Sequence, residues 1–246
     1  MFKHLFDALK AYSGALALIS KLNLWRYFAI PMAISIVVGT LIITSAYGFS
    51  DDLGHWIADF WLWDFGREFF TTISSLLGGL IILALGLILF KHIIMALSAP
   101  FMSPVSEKIE QYLTGQAKVN RINSSFQSQL WRGIRINGRN LILELLITIP
   151  ILLLKFIPVI NIFSTILLFL VQAYYAGFGN IDYTLERHFS YRQSIAFVKQ
   201  RKGLAIGNGI GFLLILLVPF VGVILVLPLC VTAASAATVK TLHPKS

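Results

Sequence analysis

Cysteine is all but missing from this sequence. The single Cys230 lies in an apolar run, which excludes a disulfide framework and a thiolate metal cluster. Charge is scarce too: charged residues make up 13% of the 246, with 11 acidic side chains against 20 Lys and Arg. Glycine-rich phosphate loops and the paired-histidine helix of zinc proteases do not occur. His4, His55, His92, His188 and His243 lie far apart in sequence, without carboxylates at ligand spacing. These absences assign no catalytic residue, no metal site and no cofactor, and they argue against an enzyme. The net charge of +9 raises the question of nucleic acid, but the bases sit between hydrophobic blocks with no nucleic-acid motif, so no nucleic-acid partner is expected. The first ten residues lack the apolar core and small-residue cleavage site of a signal peptide, and are expected to remain in the mature chain.

What the sequence has in excess is apolar surface. A hydrophobic content of 57% and a mean hydropathy of +0.79 cannot be hidden in one water-soluble core. The reading is an all-α integral membrane protein, forming a single membrane domain over 1–246. Over 1–22, Phe2, Leu5, Phe6, Leu9 and Leu16 recur at helical spacing, with Lys3, Asp7 and Lys10 elsewhere on the wheel, as in an amphipathic helix on a membrane surface. The uncharged runs 29–49 and 69–97, the second interrupted by Lys91 near its end, read as two long transmembrane helices. Between them, residues 50–68 hold five of the 11 acidic residues together with Trp56, Trp61 and Trp63, the composition of an outer interface.

The segment 98–139 is basic and therefore cytoplasmic, with a short helix expected from Ser103 as N-cap and Pro104 as first residue to Gly115 as terminator. Over 182–202 five bases face two acids, and Ser190 and Gln193 have capping-box spacing ahead of a cytoplasmic helix that Gly203 can end. With Lys240 and Lys245 in the tail, both termini are expected in the cytoplasm.

Two segments, 141–176 and 204–239, are apolar but broken at their centres by Pro158 and Pro219. The arms flanking Pro158 are about 14 residues each, roughly 21 Å as helix, short of a hydrocarbon core of about 30 Å. That length favours two re-entrant, half-penetrating hairpins, the second aligning with the first at an offset of 61 residues. Six full crossings would satisfy the same charges. Gly203, Gly207 and Gly211 have the spacing of close helix packing.

Few polar residues fall inside these segments. Glu144 and Lys155 are the charges of the first hairpin, and Asn161 follows its turn. They mark a possible ion path, although an interfacial Glu144 near Arg139 and a Lys155 bonded to carbonyls at the turn account for them equally well. Arg26 stands where the surface helix gives way to the first spanning helix. There an arginine beside free helix N–H groups suits an oxyanion, or else anchors to lipid phosphate.

Ala99-Pro-Phe101, Glu107, Leu113-Thr-Gly115, Phe156-Ile-Pro158, Asp182-Tyr183 and Arg201-Lys202 stand in an order and spacing that resemble the CysZ family of bacterial inner-membrane proteins, within the etoposide-induced-protein superfamily. The resemblance runs from about residue 20 onward. It implies a homo-oligomeric sulfate permease or channel that is not driven by ATP, feeding cysteine biosynthesis through two long spanning helices and two pairs of half-penetrating ones. It also implies a sulfate-binding motif of glycine, an aliphatic residue and two arginines before the first spanning helix. Asn23-Leu24-Trp25-Arg26 matches that motif with the second arginine kept and the glycine replaced. Arg26, Asn23 and Trp25 are therefore the sulfate-binding candidates. The rival reading is a non-transporting protein that organises or shapes the membrane, which a surface helix and wedge-like hairpins would also serve.

Overall fold

The computed structural model describes residues 1–59, 67–116, 125–154, 158–218 and 220–243. Among the described residues there are ten α-helices and no strand: α1 (Phe2–Ser13), α2 (Ala15–Lys21), α3 (Trp25–Gly48), α4 (Ser50–Ala58), α5 (Arg67–Thr114), α6 (Phe126–Leu154), α7 (Pro158–Leu185), α8 (Tyr191–Gln200), α9 (Lys202–Leu216) and α10 (Val221–Leu242). Among the described residues, five helical stretches are long and apolar enough to cross a membrane: Trp25–Gly48, Leu85–Thr114, Phe126–Leu154, Ile160–Leu185 and Val221–Leu242. Apolar helix supplies every backbone group with a partner inside its own segment, as a lipid environment demands.

Residues 35–91 form one compact unit, and residues 1–34 with 92–246 form the other. In the smaller unit, glycines admit backbone to backbone. A Cβ on Gly54 would lie 2.3 Å from the Ser75 Cα, and one on Gly78 would lie 2.8 Å from the Ser50 carbonyl oxygen.

The larger unit is built inside out. On α6 the buried positions Gln129, Arg132, Asn137, Asn140, Glu144 and Thr148 recur at helical spacing, whereas Ile142, Leu146, Ile149 and Leu153 are exposed. A water-soluble helix sorts its residues the opposite way, so the outward face of α6 is made for hydrocarbon. Within the unit, Ile136, Phe178, Ile181, Leu185, Phe197, Leu204 and Ala234 form an apolar core.

Helix α9 is clasped on two sides through small residues. Gly203, Gly207 and Gly211 face α1: a Cβ on each would lie 2.2 Å from the Met1 carbonyl oxygen, 2.5 Å from that of Leu5 and 2.3 Å from the Tyr12 ring. The expected close packing is present, and its partner is the amino-terminal helix. The neighbouring face sets Ala205 and Gly209 against Ala173 and Gly177 of α7, with added Cβ atoms only 1.7–1.8 Å from carbonyl oxygens across the seam. The α1–α2 segment buries Ala8, Ala15 and Ile19 and leaves Phe2, Phe6 and Leu16 exposed. Two alanines and Ile19 meet protein, and the two phenylalanines and Leu16 face outward.

Three expectations about element ends are corrected. Ser103 and Pro104 do not start a helix but lie inside the 48-residue α5. The Ser103 hydroxyl is engaged by Glu186 and Gln129 from other segments and does not serve as a cap. Gly115, at φ 72°, does close α5 as expected. Gly203 does not end α8. The chain breaks at Arg201 (φ −119°, ψ 46°), and Gly203 opens α9 where the amino terminus must pass. The predicted capping residues do start α8, the Ser190 N–H donating to Gln193 Oε1 at 2.9 Å. Finally, residues 126–139 are not loop, because the apolar arm of the first hairpin extends backward into them as the buried polar half of α6.

Candidate functional site

The turn from α2 into α3 is set by Asn23, which adopts φ 50°, a left-handed conformation that asparagine tolerates better than most residues with a Cβ. The resemblance expects glycine there, and asparagine preserves the backbone path. Replacing Asn23 by glycine should change stability by a few tenths of a kcal/mol at most, whereas Asn23→Val should cost about 1–2 kcal/mol. Thermal unfolding of the two variants in detergent checks this, and equal behaviour would show that the turn is not under conformational control.

Beyond the turn, Leu24 and Phe28 are fully buried and anchor the start of α3, leaving Arg26 and Trp25 exposed. Arg26 Nη2 donates to the Tyr27 hydroxyl at 3.2 Å, and its guanidinium lies 5.0 Å from the ring centroid. Lys108, from α5, sits 5.2 Å from the same ring. One helical turn further along α5, the Tyr112 hydroxyl accepts from Lys21 Nζ at 2.6 Å. Arg26 and Lys108 thus flank one tyrosine, and Lys21 is held by a second one turn away. Cations in contact with aromatic faces are oriented at low cost and keep donors free for an anion. Next to them, the Tyr27 N–H makes the first bond of α3, to the Leu24 carbonyl at 2.9 Å, so Trp25 and Arg26 present the N–H groups that precede it. This arrangement can accept an oxyanion. Sequence reading missed Lys108 and Tyr112, whose only signal was a basic residue followed four positions later by an aromatic one.

The other predicted positions do not join this cluster. Lys155 lies outside the described residues. Asn161 is exposed within α7, its carbonyl accepting from Ser164 and Thr165. Glu144 is fully buried, with its Oε2 3.0 Å from His92 Nε2 of α5. Arg139 instead bonds Asn140 and lies over the Phe178 ring.

Behind the apolar core runs a buried ionic network that the sequence presented as two solvated basic loops. Arg132 makes a two-pronged contact with Asp182, both bonds at 2.9 Å, and donates to the Phe189 carbonyl and to Ser194. Arg187 holds Glu110 Oε2 at 2.8 and 3.1 Å and donates to Ser106 and the Tyr183 carbonyl. Glu186 follows the end of α7. Burial pushes its carboxyl up to about 7, with Asp182 adding to the rise and the Ser103 hydroxyl bond and the two arginines opposing it.

Helices that turn apolar faces outward and polar faces inward, with a cluster of cations at the start of a spanning-length helix, define a multi-helix membrane protein with a basic face suited to anions. The chain belongs to the family described as Sulfate transporter CysZ/Etoposide-induced protein 2.4, whose family model matches residues 11–227. It is also similar to proteins named Sulfate transporter CysZ from Pseudomonas aeruginosa (strain LESB58) and Pseudomonas paraeruginosa (strain DSM 24068 / PA7). Each is 25% identical over 233 residues, covering 92% of this chain and 91% of theirs.

Proposed function

We propose that this protein moves sulfate or a closely related oxyanion across the bacterial inner membrane, without ATP hydrolysis, to supply cysteine biosynthesis. The observation that carries the reading is the gathering of Arg26 and Lys108 about Tyr27, with Lys21 on Tyr112 beside them, in a chain whose relatives are named sulfate transporters. A dianion entering a low-dielectric region needs fixed positive partners, and these three cations with the open end of α3 supply them. Where the motif implied by the resemblance has a first arginine, this chain has Trp25. Lys108 restores the missing charge from another helix.

In this reading Asn23 shapes the entry, Trp25 borders it, and Lys155 and Asn161 are the further residues assigned to the ion path. Glu144 takes part as the partner of His92 inside the protein and not as an anion ligand, since a carboxylate repels sulfate. The proposed re-entrant second hairpin rests on α9, whose 15 residues rise about 22 Å, while α10 with 22 residues is long enough to cross. Both termini are cytoplasmic, and a homo-oligomer in contact with lipid is the working form.

Uptake of radiolabelled sulfate into liposomes containing the purified chain tests the proposal. We expect uptake that saturates with sulfate, falls about tenfold in Arg26→Ala or Lys108→Ala, and falls to the level of empty liposomes in the double variant, about 1.4 kcal/mol for each tenfold step. Equal counts in protein-containing and empty liposomes, with the protein folded, would refute it. The exposed Phe2 and Phe6 of α1 would then favour the membrane-organising role.

A further inference from the structure

Three side chains that lie 55 to 133 residues apart in the sequence meet in the larger unit. They are Glu110 near the end of α5, His188 just beyond α7, and His243 at the carboxyl end of α10. Glu110 Oε1 is 2.7 Å from His188 Nε2 and 3.5 Å from His243 Nε2, and one ligand atom from each residue lies within 4.8 Å of the others. We propose that Glu110, His188 and His243 form a binding site for a divalent transition-metal ion, with zinc the best match.

The donor set is two imidazoles and one carboxylate, the combination that zinc accepts when a fourth position is left open. Tetrahedral bonds of about 2.0–2.1 Å place neighbouring ligand atoms about 3.3 Å apart. The separations of 2.7 and 3.5 Å bracket that value, so small side-chain movements admit the ion.

The surroundings support it. Both bonds from Arg187 to Glu110 go to Oε2, so the guanidinium orients the carboxylate with Oε1 toward the two histidines. This is the usual work of an outer partner on a metal ligand. The adjoining network holds two guanidiniums, Arg132 and Arg187, against three carboxylates, Glu110, Asp182 and Glu186. A cation added at the edge of that network meets no excess of base. Access is open as well. Glu110 is 1% exposed at the floor, while His188 and His243 are 23% and 43% exposed, leaving a way in and room for a water on the fourth position. Sequence spacing gave no sign of the site, because its ligands come from three separate helix ends. It does not depend on the sulfate reading, for it uses none of Lys21, Arg26 or Lys108.

The test is titration of zinc chloride into the full chain in detergent after chelator treatment and removal, followed by calorimetry and by thermal unfolding. One zinc per chain is expected, with a dissociation constant of about a micromolar or tighter and a zinc-dependent rise in Tm. His243→Ala removes an exposed ligand at a helix end and leaves the Arg187–Glu110 pair in place, so it should fold normally while losing at least tenfold in affinity. His188→Gln should lose as much, and His55→Ala should bind like the parent. Binding that is weak, exceeds one ion per chain, or is unchanged in His243→Ala would overturn the proposal. X-ray absorption of the loaded protein should show two imidazole nitrogens in the zinc shell, and their absence would also overturn it.

Discussion

Arg132→Met should lower the unfolding free energy by about 3–5 kcal/mol, because it strands the Asp182 carboxylate, 4% exposed, without its two-pronged partner. The loss is not confined to one pair, since the Phe189 carbonyl and the Ser194 hydroxyl lose a donor in the same substitution. The double variant Arg132→Met/Asp182→Leu separates the two effects. It removes both charges, so most of the penalty should return. A residue of about 1–3 kcal/mol should remain for the carbonyl and hydroxyl that stay unpaired. Equilibrium unfolding in mixed micelles measures both. A double variant as unstable as the single one would mean that the backbone bond to Phe189, and not the ion pair, does the holding.

The second large effect is steric. Gly209→Ala places a methyl group 1.7 Å from the Ala173 carbonyl oxygen, and Gly177→Ala places one 1.8 Å from that of Ala205. These neighbours are backbone and cannot swing aside, so α7 and α9 must separate along the whole seam. About 3 kcal/mol is expected for alanine at either position, and leucine should prevent accumulation of folded protein. Gly138→Ala, on α6 where nothing lies within 4 Å of the added carbon, is the contrasting case. There the better helix propensity of alanine should stabilise the protein by up to about 1 kcal/mol. Melting temperatures of the three alanine variants read both signs at once. Parallel shifts at Gly138 and Gly209 would show that packing distance is not what distinguishes them.

Legibility in the sequence followed what each residue faces. Helix α3 was expected at 29–49 and spans 25–48, because an uncharged run is a direct signal of an outward-facing helix. The end of α5 at Gly115 and the start of α8 at Ser190 were legible because caps are local chemistry. Residues 126–139 were read as loop because their polar residues resemble a solvated segment when read one after another. Only the partners Asp182, Ser103 and His92, 26 to 52 residues away, show that Arg132, Gln129 and Glu144 face inward. Of the candidate site, Arg26 and Asn23 were legible from the turn they occupy. Lys108 was not, because nothing in its neighbourhood places it beside Tyr27.

The clasp of α1 on α9 also sets a schedule for synthesis. Tyr12 gives its hydroxyl proton to the carbonyl of Asn208, a residue made 196 positions later. At about 5–20 residues per second, α1 waits roughly 10 to 40 s for the groove that receives it. During that wait the small-residue face around Ala8 and Ala15 has no glycine stripe to meet, while Phe2 and Phe6 can already hold the helix against lipid. Helix α1 is thus made long before its partner and is among the last to find its place.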